Sequence, residues 1–231
     1  MRALRSGRVC ARDLELASLK RFRLALLHAL GYNTAHMIRA LLLIVDGSRT
    51  WEAIKKEQHG VARISTSFLL PVLLLTCLGE ALGLLRLGME QGEMTLRIIK
   101  PDPTLVTRYE LVQAACSLVI VYLGAFALQG IGASFHRRHS YKECFTTLAY
   151  SISPLLLLRL LDGVPAVSTW VCYGLGVFLM LSLLYRSIPF IMRPDPSNAL
   201  GLFVFCSFLL LVATGLAHYL ATLVLDEKLL A

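Results

Sequence analysis

Five apolar stretches, separated by short polar loops, occupy the chain between Ile64 and Leu225. A helix of ~20 apolar residues, rising ~1.5 Å per residue, crosses the ~30 Å hydrocarbon core of a bilayer. The hydrophobic fraction of 56% also exceeds the soluble-domain norm. We therefore predict an all-α polytopic membrane protein, in which amphipathic or interfacial helices precede a bundle of five transmembrane helices. The predicted spans are 64–86, 110–133, 144–162, 166–187 and 199–224.

Basic residues are concentrated ahead of the first predicted span. Residues 1–63 hold 12 of the 23 Lys and Arg residues against five acids, which accounts for most of the net charge of +8. We divide the chain into a basic cytoplasmic tail with interfacial helices, 1–63, and a five-span membrane domain, 64–231. Such a tail is typical of attraction to anionic lipid headgroups, for which Lys20, Arg21 and Arg23 are the candidate contacts. We expect no nucleic-acid binding, because stacking aromatics are not interleaved with the cations.

The distribution of cations also predicts the orientation. With the N-terminus inside, the inner segments carry 17 Lys and Arg residues and the outer segments carry five. Because cytoplasmic loops are enriched in cations, this count predicts an inner N-terminus and an outer C-terminus. Residues 24–45 form the one further stretch long enough to span, but they include Arg39, and a central charge costs ~2.5–3.5 kcal/mol on insertion scales. We predict that 24–45 lies on the inner membrane face.

Two prolines interrupt the predicted spans. Pro71 lies in the first span and Pro154 in the third, and neither can donate the hydrogen bond that continues an α-helix. Pro154 leaves the carbonyl of Tyr150 without its usual donor, and neighbouring hydroxyls are expected to replace it. We predict kinks at Pro71, Tyr150 and Pro154, which serve packing or, alternatively, a gate or binding notch.

Glu80 and Arg159 are the most informative ionisable residues inside the spans. Both lie ~23 Å above the inner boundary if their helices are straight, since each is about 15 residues into a span that runs outward. His218, Glu110 and Gln113 lie near the same depth. We predict an ion pair between Glu80 and Arg159, because an unpaired charge is costly in lipid. In the structural interpretation, the two side chains form a pair that fixes the register of the helices, or they extend to the lipid headgroups. In the functional interpretation, they belong to a proton or ion relay.

Catalytic and metal-binding patterns are weak in this sequence. His136, His139 and Cys144 suggest ligands, but Arg137 and Arg138 separate the two histidines, and a basic loop explains this segment better. The six cysteines show no C-x-x-C spacing. We expect no cofactor, no bound metal and no enzymatic activity.

Four short blocks follow one another along the chain: Thr50-Trp51-Glu52-Ala53-Ile54, Phe68-Leu69-Leu70-Pro71, Ala149-Tyr150-Ser151-Ile152-Ser153-Pro154 and Met192-Arg193-Pro194-Asp195-Pro196-Ser197-Asn198-Ala199. In this order, with five spans, they resemble the Yip (Ypt-interacting-protein) domain family, particularly its prokaryotic branch, over roughly residues 36–222. The resemblance implies five spans, a cytoplasmic N-terminus and location in a prokaryotic cytoplasmic membrane. Eukaryotic members act in vesicle trafficking and bind Rab-type GTPases. That role is not transferred here, because the tail lacks the long flexible region typical of those members.

The predicted function is that of a non-enzymatic membrane organiser or adaptor for partner proteins or lipids, acting through the basic inner face. The alternative is a small transporter or lipid-handling protein that uses the kinked spans and the outer polar layer. A transporter needs a continuous polar path, whereas the mid-depth positions here are mostly Leu, Val, Ala and Ser. The expected partners are anionic headgroups and unidentified proteins, and a homo-oligomer is left open.

Overall fold

Among the residues that the computed structural model describes, five helices are long and apolar enough to cross a membrane, which confirms the predicted all-α polytopic class. The structure describes residues 43, 47–57, 59–91, 97–134, 139–164, 167–192 and 196–226. Lys20, Arg21, Arg23 and almost all of 24–45 lie outside the described residues. Spans one to five, as the names are used below, are Val61–Leu87, Pro103–Ala133, Tyr141–Leu161, Thr169–Met192 and Asn198–Val224.

Several spans are built from more than one helical segment. The α-helices are α1 Gly47–Glu57, α2 Val61–Ile64, α3 Leu70–Leu87, α4 Pro103–Ser134, α5 Tyr141–Ser151, α6 Ser153–Leu158, α7 Thr169–Ser187 and α8 Pro196–Asp226. The π-helical segments are Ser65–Leu69 and Ile188–Met192, and Arg159–Leu161 is a 3₁₀ turn. Two short antiparallel strands, β1 Met89–Gln91 and β2 Arg97–Ile99, join spans one and two.

The second helix begins earlier than the apolar pattern predicts. We predicted a span from Glu110, whereas α4 begins at Pro103. The carbonyl of Asp102 accepts hydrogen bonds from the amides of Leu105 and Val106, and this starts the helix outside the apolar segment. Proline is favoured in the first turn of a helix because its missing N–H would have no intrahelical partner there. Hydropathy therefore located the membrane core of the helix but not its polar extension.

Span three lies at the centre of the bundle. In its most apolar 18-residue window 78% of the residues are buried, against 28–44% in the other four spans. Span three packs against spans one, two and four, and span two packs along span five. The four outer spans turn large apolar side chains such as Leu78, Phe126, Phe178 and Phe208 outward. Those exposed faces suit contact with lipid tails, whereas the central span is surrounded by the other spans.

The prolines produce local changes of helix type. Ahead of Pro71 the backbone is π-helical over Ser65–Leu69, and the amide of Leu70 donates to the carbonyl of Ser65, five residues back. In span three the α-helix ends at Ser151 and resumes at Ser153, and the Ser153 hydroxyl donates to the carbonyl of Tyr150 at 2.7 Å. A hydroxyl therefore replaces the amide that Pro154 lacks, as predicted.

Tyr150 is also the centre of an aromatic cluster at the end of the bundle that is predicted to face inward. Its ring packs on Phe68 with centroids 4.3 Å apart and meets Trp51 edge-on at 6.1 Å. Trp51 and Ile54 are buried, so one face of α1 docks against the spans. The Lys55 ammonium donates to the carbonyl of Phe190 and fixes α1 to the end of span four.

Candidate functional site

A group of five polar side chains, called here the polar cluster, lies in the half of the bundle that the cation count predicts to face outward, and the words outer and inner follow that predicted orientation below. Its members are Glu80, Tyr109, Glu110, Gln113 and Arg159. Arg159 Nη2 donates to Glu80 Oε2 at 2.6 Å and lies 3.4 Å from Glu110 Oε2. The Tyr109 hydroxyl donates to Glu80 Oε1 at 2.8 Å and accepts from Gln113 Nε2 at 3.3 Å. The structure therefore brings together the two residues that we expected to pair, within a larger network.

Three separate chain segments contribute to this cluster. Glu80 comes from α3, and Arg159 opens the 3₁₀ turn that ends span three. Tyr109 and Gln113 are four residues apart on α4, so they share one face of that helix. All five residues are buried, Glu80 completely. Each side chain points into the bundle and bonds to other members of the cluster, so the cluster links spans one, two and three at one depth.

A small cavity, called here the outer cavity, adjoins the polar cluster. It measures about 30 Å³, which is room for one or two water molecules. Spans two to five and the turn after span three supply its polar lining: Gln113, Ser117, Arg159, Asp162, Tyr173, Thr214 and His218.

Several buried polar atoms of that lining lack a partner among the described residues. They are Arg159 Nε and Nη1, Asp162 Oδ1 and His218 Nε2. Buried polar atoms in native proteins are hydrogen-bonded to protein or to ordered water. Since the cavity can hold water and offers both donors and acceptors, bound water is the simplest occupant that satisfies these atoms.

Asp162 and His218 complete the titratable wall of the outer cavity. Asp162 lies just beyond the end of span three, and burial, assisted by the charge of Glu80, raises the pKa of its carboxyl to about 7. The His218 ring stacks on Tyr173 with centroids 4.9 Å apart and meets Trp170 edge-on. An acid with such a pKa exchanges protons near neutral pH.

A second and larger cavity, called here the inner cavity, lies at the opposite end of span three. It measures about 260 Å³ between α1, the start of span one, the start of span three and the end of span four. Its floor is apolar, with Ile54, Ile64 and Ile191, and Tyr150 also lines it. The rim is charged and carries both signs: Lys55, Glu57, His59, Lys142 and Glu143.

Sequence reasoning placed some of these residues and missed others. Glu110, Gln113 and His218 were expected in the outer polar layer, and they lie beside the pair. Tyr109 and Asp162 were not singled out. Tyr109 carried a usable signal, because it stands four residues before Gln113 on a helix. Asp162 looked like an ordinary loop residue at the end of a span.

With this geometry in hand, comparison with known proteins identifies the fold family. The Yip1 domain model matches residues 41–217, which is more than half of the chain. The chain belongs to the Yip1 domain family. No curated protein and no solved structure matches it.

The Yip1 match includes most of what the structure describes. It begins before α1 and ends at Ala217, so it includes the whole polar cluster and the inner cavity. It also includes every residue that lines the outer cavity except His218. The resemblance noted in the sequence therefore holds at the level of the family. Membership establishes a multi-pass membrane protein of the Yip1 type.

Proposed function

We propose that this Yip1-domain protein is a non-enzymatic adaptor or organiser that acts from the inner face of a prokaryotic cytoplasmic membrane, with its N-terminus inside. The observation that carries the proposal is the inner cavity, which is far larger than the outer one and has an apolar floor with a rim of both charges. Such a surface suits a partner that offers an apolar anchor and charged neighbours.

The helix α1 supports this assignment. Trp51 and Ile54 attach it to the spans and Glu52 and Lys56 are exposed, while Lys55 and Glu57 line the inner cavity. A helix held by one face and polar on the other can present a rigid docking surface at the membrane boundary. The basic tail that precedes it adds attraction to anionic headgroups, so that lipid and protein partners would meet the same face.

The arrangement of the polar cluster favours a structural role for its charges over turnover. Arg159 is shared by two carboxylates, and the Tyr109 hydroxyl, which accepts from Gln113, donates to the remaining oxygen of Glu80. A general base or nucleophile has to be available to a substrate, whereas both carboxylate oxygens of Glu80 are bonded within the cluster. We therefore propose no enzymatic activity for this cluster.

Replacing Lys20, Arg21 and Arg23 with Gln is expected to weaken binding of anionic lipid without unfolding the bundle. Each cation near an anionic surface contributes about 1 kcal/mol, so the triple variant should bind up to ~100-fold more weakly. Native mass spectrometry of the purified chain, titrated with phosphatidylglycerol and with phosphatidylcholine, measures the change.

The matched control neutralises three cations of the predicted outer segment, Arg97, Lys100 and Arg108. This variant should retain the binding of phosphatidylglycerol that depends on the tail. Equal losses in the two triple variants, or an unchanged affinity of the tail variant, would contradict the proposed role of the inner face. A thermal unfolding curve for each variant checks that the spans remain folded.

A further inference from the structure

The two cavities approach each other at the break in span three. Tyr150 lines the inner cavity and Ile152 lines the outer cavity, so Ser151 alone separates them along the chain. This is also the point at which the α-helix ends and restarts. Broken helices that line buried sites are a recurrent feature of membrane transport proteins.

Hydroxyl groups gather around this break, deep in the bundle. Ser151 Oγ lies 3.4 Å from Ser187 Oγ of span four, and both side chains are fully buried. Thr147, one turn earlier, is equally buried, and its hydroxyl has no hydrogen-bond partner in the part of the chain that the structure describes. A hydroxyl both donates and accepts, so a chain of hydroxyls and water can relay a proton.

Titratable groups face both ends of this region. Around the outer cavity they are Arg159, Asp162, Cys172, Tyr173 and His218, with Glu80 and Glu110 bonded to Arg159. Around the inner cavity they are Lys55, Glu57, His59, Lys142, Glu143 and Tyr150. His59 Nε2 lies 3.1 Å from Glu57 Oε2 at the inner rim.

Size decides which species the region can carry. The outer cavity has room for one or two water molecules and none for a hydrated ion or an organic solute. A proton needs no lumen, because it passes between hydrogen-bonded groups. Ile152, Leu155 and Leu156 of span three line the outer cavity as apolar side chains, so transfer requires a rearrangement at the helix break.

We propose that span three carries a proton-transfer route between the outer cavity and the inner cavity, closed at Ile152 in the conformation described. A proton enters at the Asp162 carboxyl, passes into cavity water and, when the helix break rearranges at Ile152, reaches Ser151 and its neighbouring hydroxyls. The proton is then transferred to the pair formed by His59 and Glu57 at the inner rim. Each hydroxyl accepts one proton and gives up one, so only the proton moves and its gradient drives the transfer. This activity goes beyond the adaptor function and is independent of it.

Proton uptake by reconstituted protein tests the route. The full chain is placed in phosphatidylcholine vesicles that contain a pH-sensitive dye, and a potassium gradient with valinomycin makes the interior negative. We expect faster acidification than in protein-free vesicles. Ser151→Ala and Asp162→Asn are each expected to lower the rate to that of protein-free vesicles.

Two conservative controls separate the route from general damage. Ser182→Ala removes a hydroxyl that donates only to the Phe178 carbonyl of its own helix, and Asp102→Asn changes an exposed carboxylate of the predicted outer segment. Both controls should keep the wild-type rate. The proposal fails if the wild-type rate equals that of protein-free vesicles, if either test variant keeps the wild-type rate, or if the controls lose as much. Loss of proton uptake would leave the lipid-binding test of the adaptor function unaffected.

Discussion

Arg159→Met is expected to destabilise the folded bundle by about 3–5 kcal/mol, the usual cost of leaving buried charge without its partner. Methionine fills a similar volume but leaves the carboxylates of Glu80 and Glu110 without the guanidinium that they share. Both carboxylates are buried in the bundle and cannot return to water without opening it. The free energy of unfolding in detergent, measured by titration with a denaturing detergent, gives the magnitude.

Companion variants locate the origin of that loss. Glu80→Gln keeps an acceptor for the Tyr109 hydroxyl and leaves Glu110 beside Arg159, so its loss should be smaller than that of Arg159→Met. The double variant Glu80→Leu with Arg159→Met should lose less than the sum of the single changes, because neither partner of the pair is then left alone. Arg186→Met, at an exposed position, is the control and should be nearly neutral. Additive losses would mean that the two side chains do not interact.

Gly83→Ala is expected to destabilise the bundle by about 2 kcal/mol, even though alanine is the better helix former. A Cβ at Gly83 would lie 2.5 Å from the carbonyl oxygen of Gly163 and 2.6 Å from its Cα. These are backbone atoms, so relief requires moving span one away from the turn after span three. The cost of overpacking, ~3 kcal/mol, then exceeds the ~1 kcal/mol of stability that alanine adds to the helix.

Gly174→Ala provides the matched control on span four. A Cβ at Gly174 would meet nothing within 4 Å, so only the helix propensity changes and the variant should be slightly more stable than wild type. The same unfolding measurement compares the two glycines. A neutral Gly83→Ala, or equal effects at Gly83 and Gly174, would contradict the close approach of span one to Gly163.

Apolar segments and prolines made much of this fold predictable. The number of spans and their centres follow from lipid solvation, since a stretch that long and apolar has one favourable environment. The break at Pro154 follows from its missing amide. Glu80 and Arg159 could be paired in advance because both are costly alone and their depths match.

Other features depend on packing that one sequence does not display. Hydropathy treats the five spans alike, so it did not single out span three as the central helix. Ser151 and Ser187 are far apart in sequence, and only helix packing brings their hydroxyls together. Pro189 lies in the π-helical end of span four. It is a second proline next to π-helical backbone, and the sequence did not lead us to predict it. Tyr150 was expected as a kink residue, but it also organises the inner aromatic cluster.

The orientation of the bundle in the membrane is the central claim on which the inner-face function depends. It is tested most directly by fusing a reporter that is active only outside the cytoplasm, and one that is active only inside, at the N-terminus, Gly88 and Ala231. The cation distribution predicts an inside signal from the N-terminus and outside signals from Gly88 and Ala231. Cytoplasmic signals at Gly88 and Ala231, or both termini on one side, would contradict the orientation and the function assigned to the inner face.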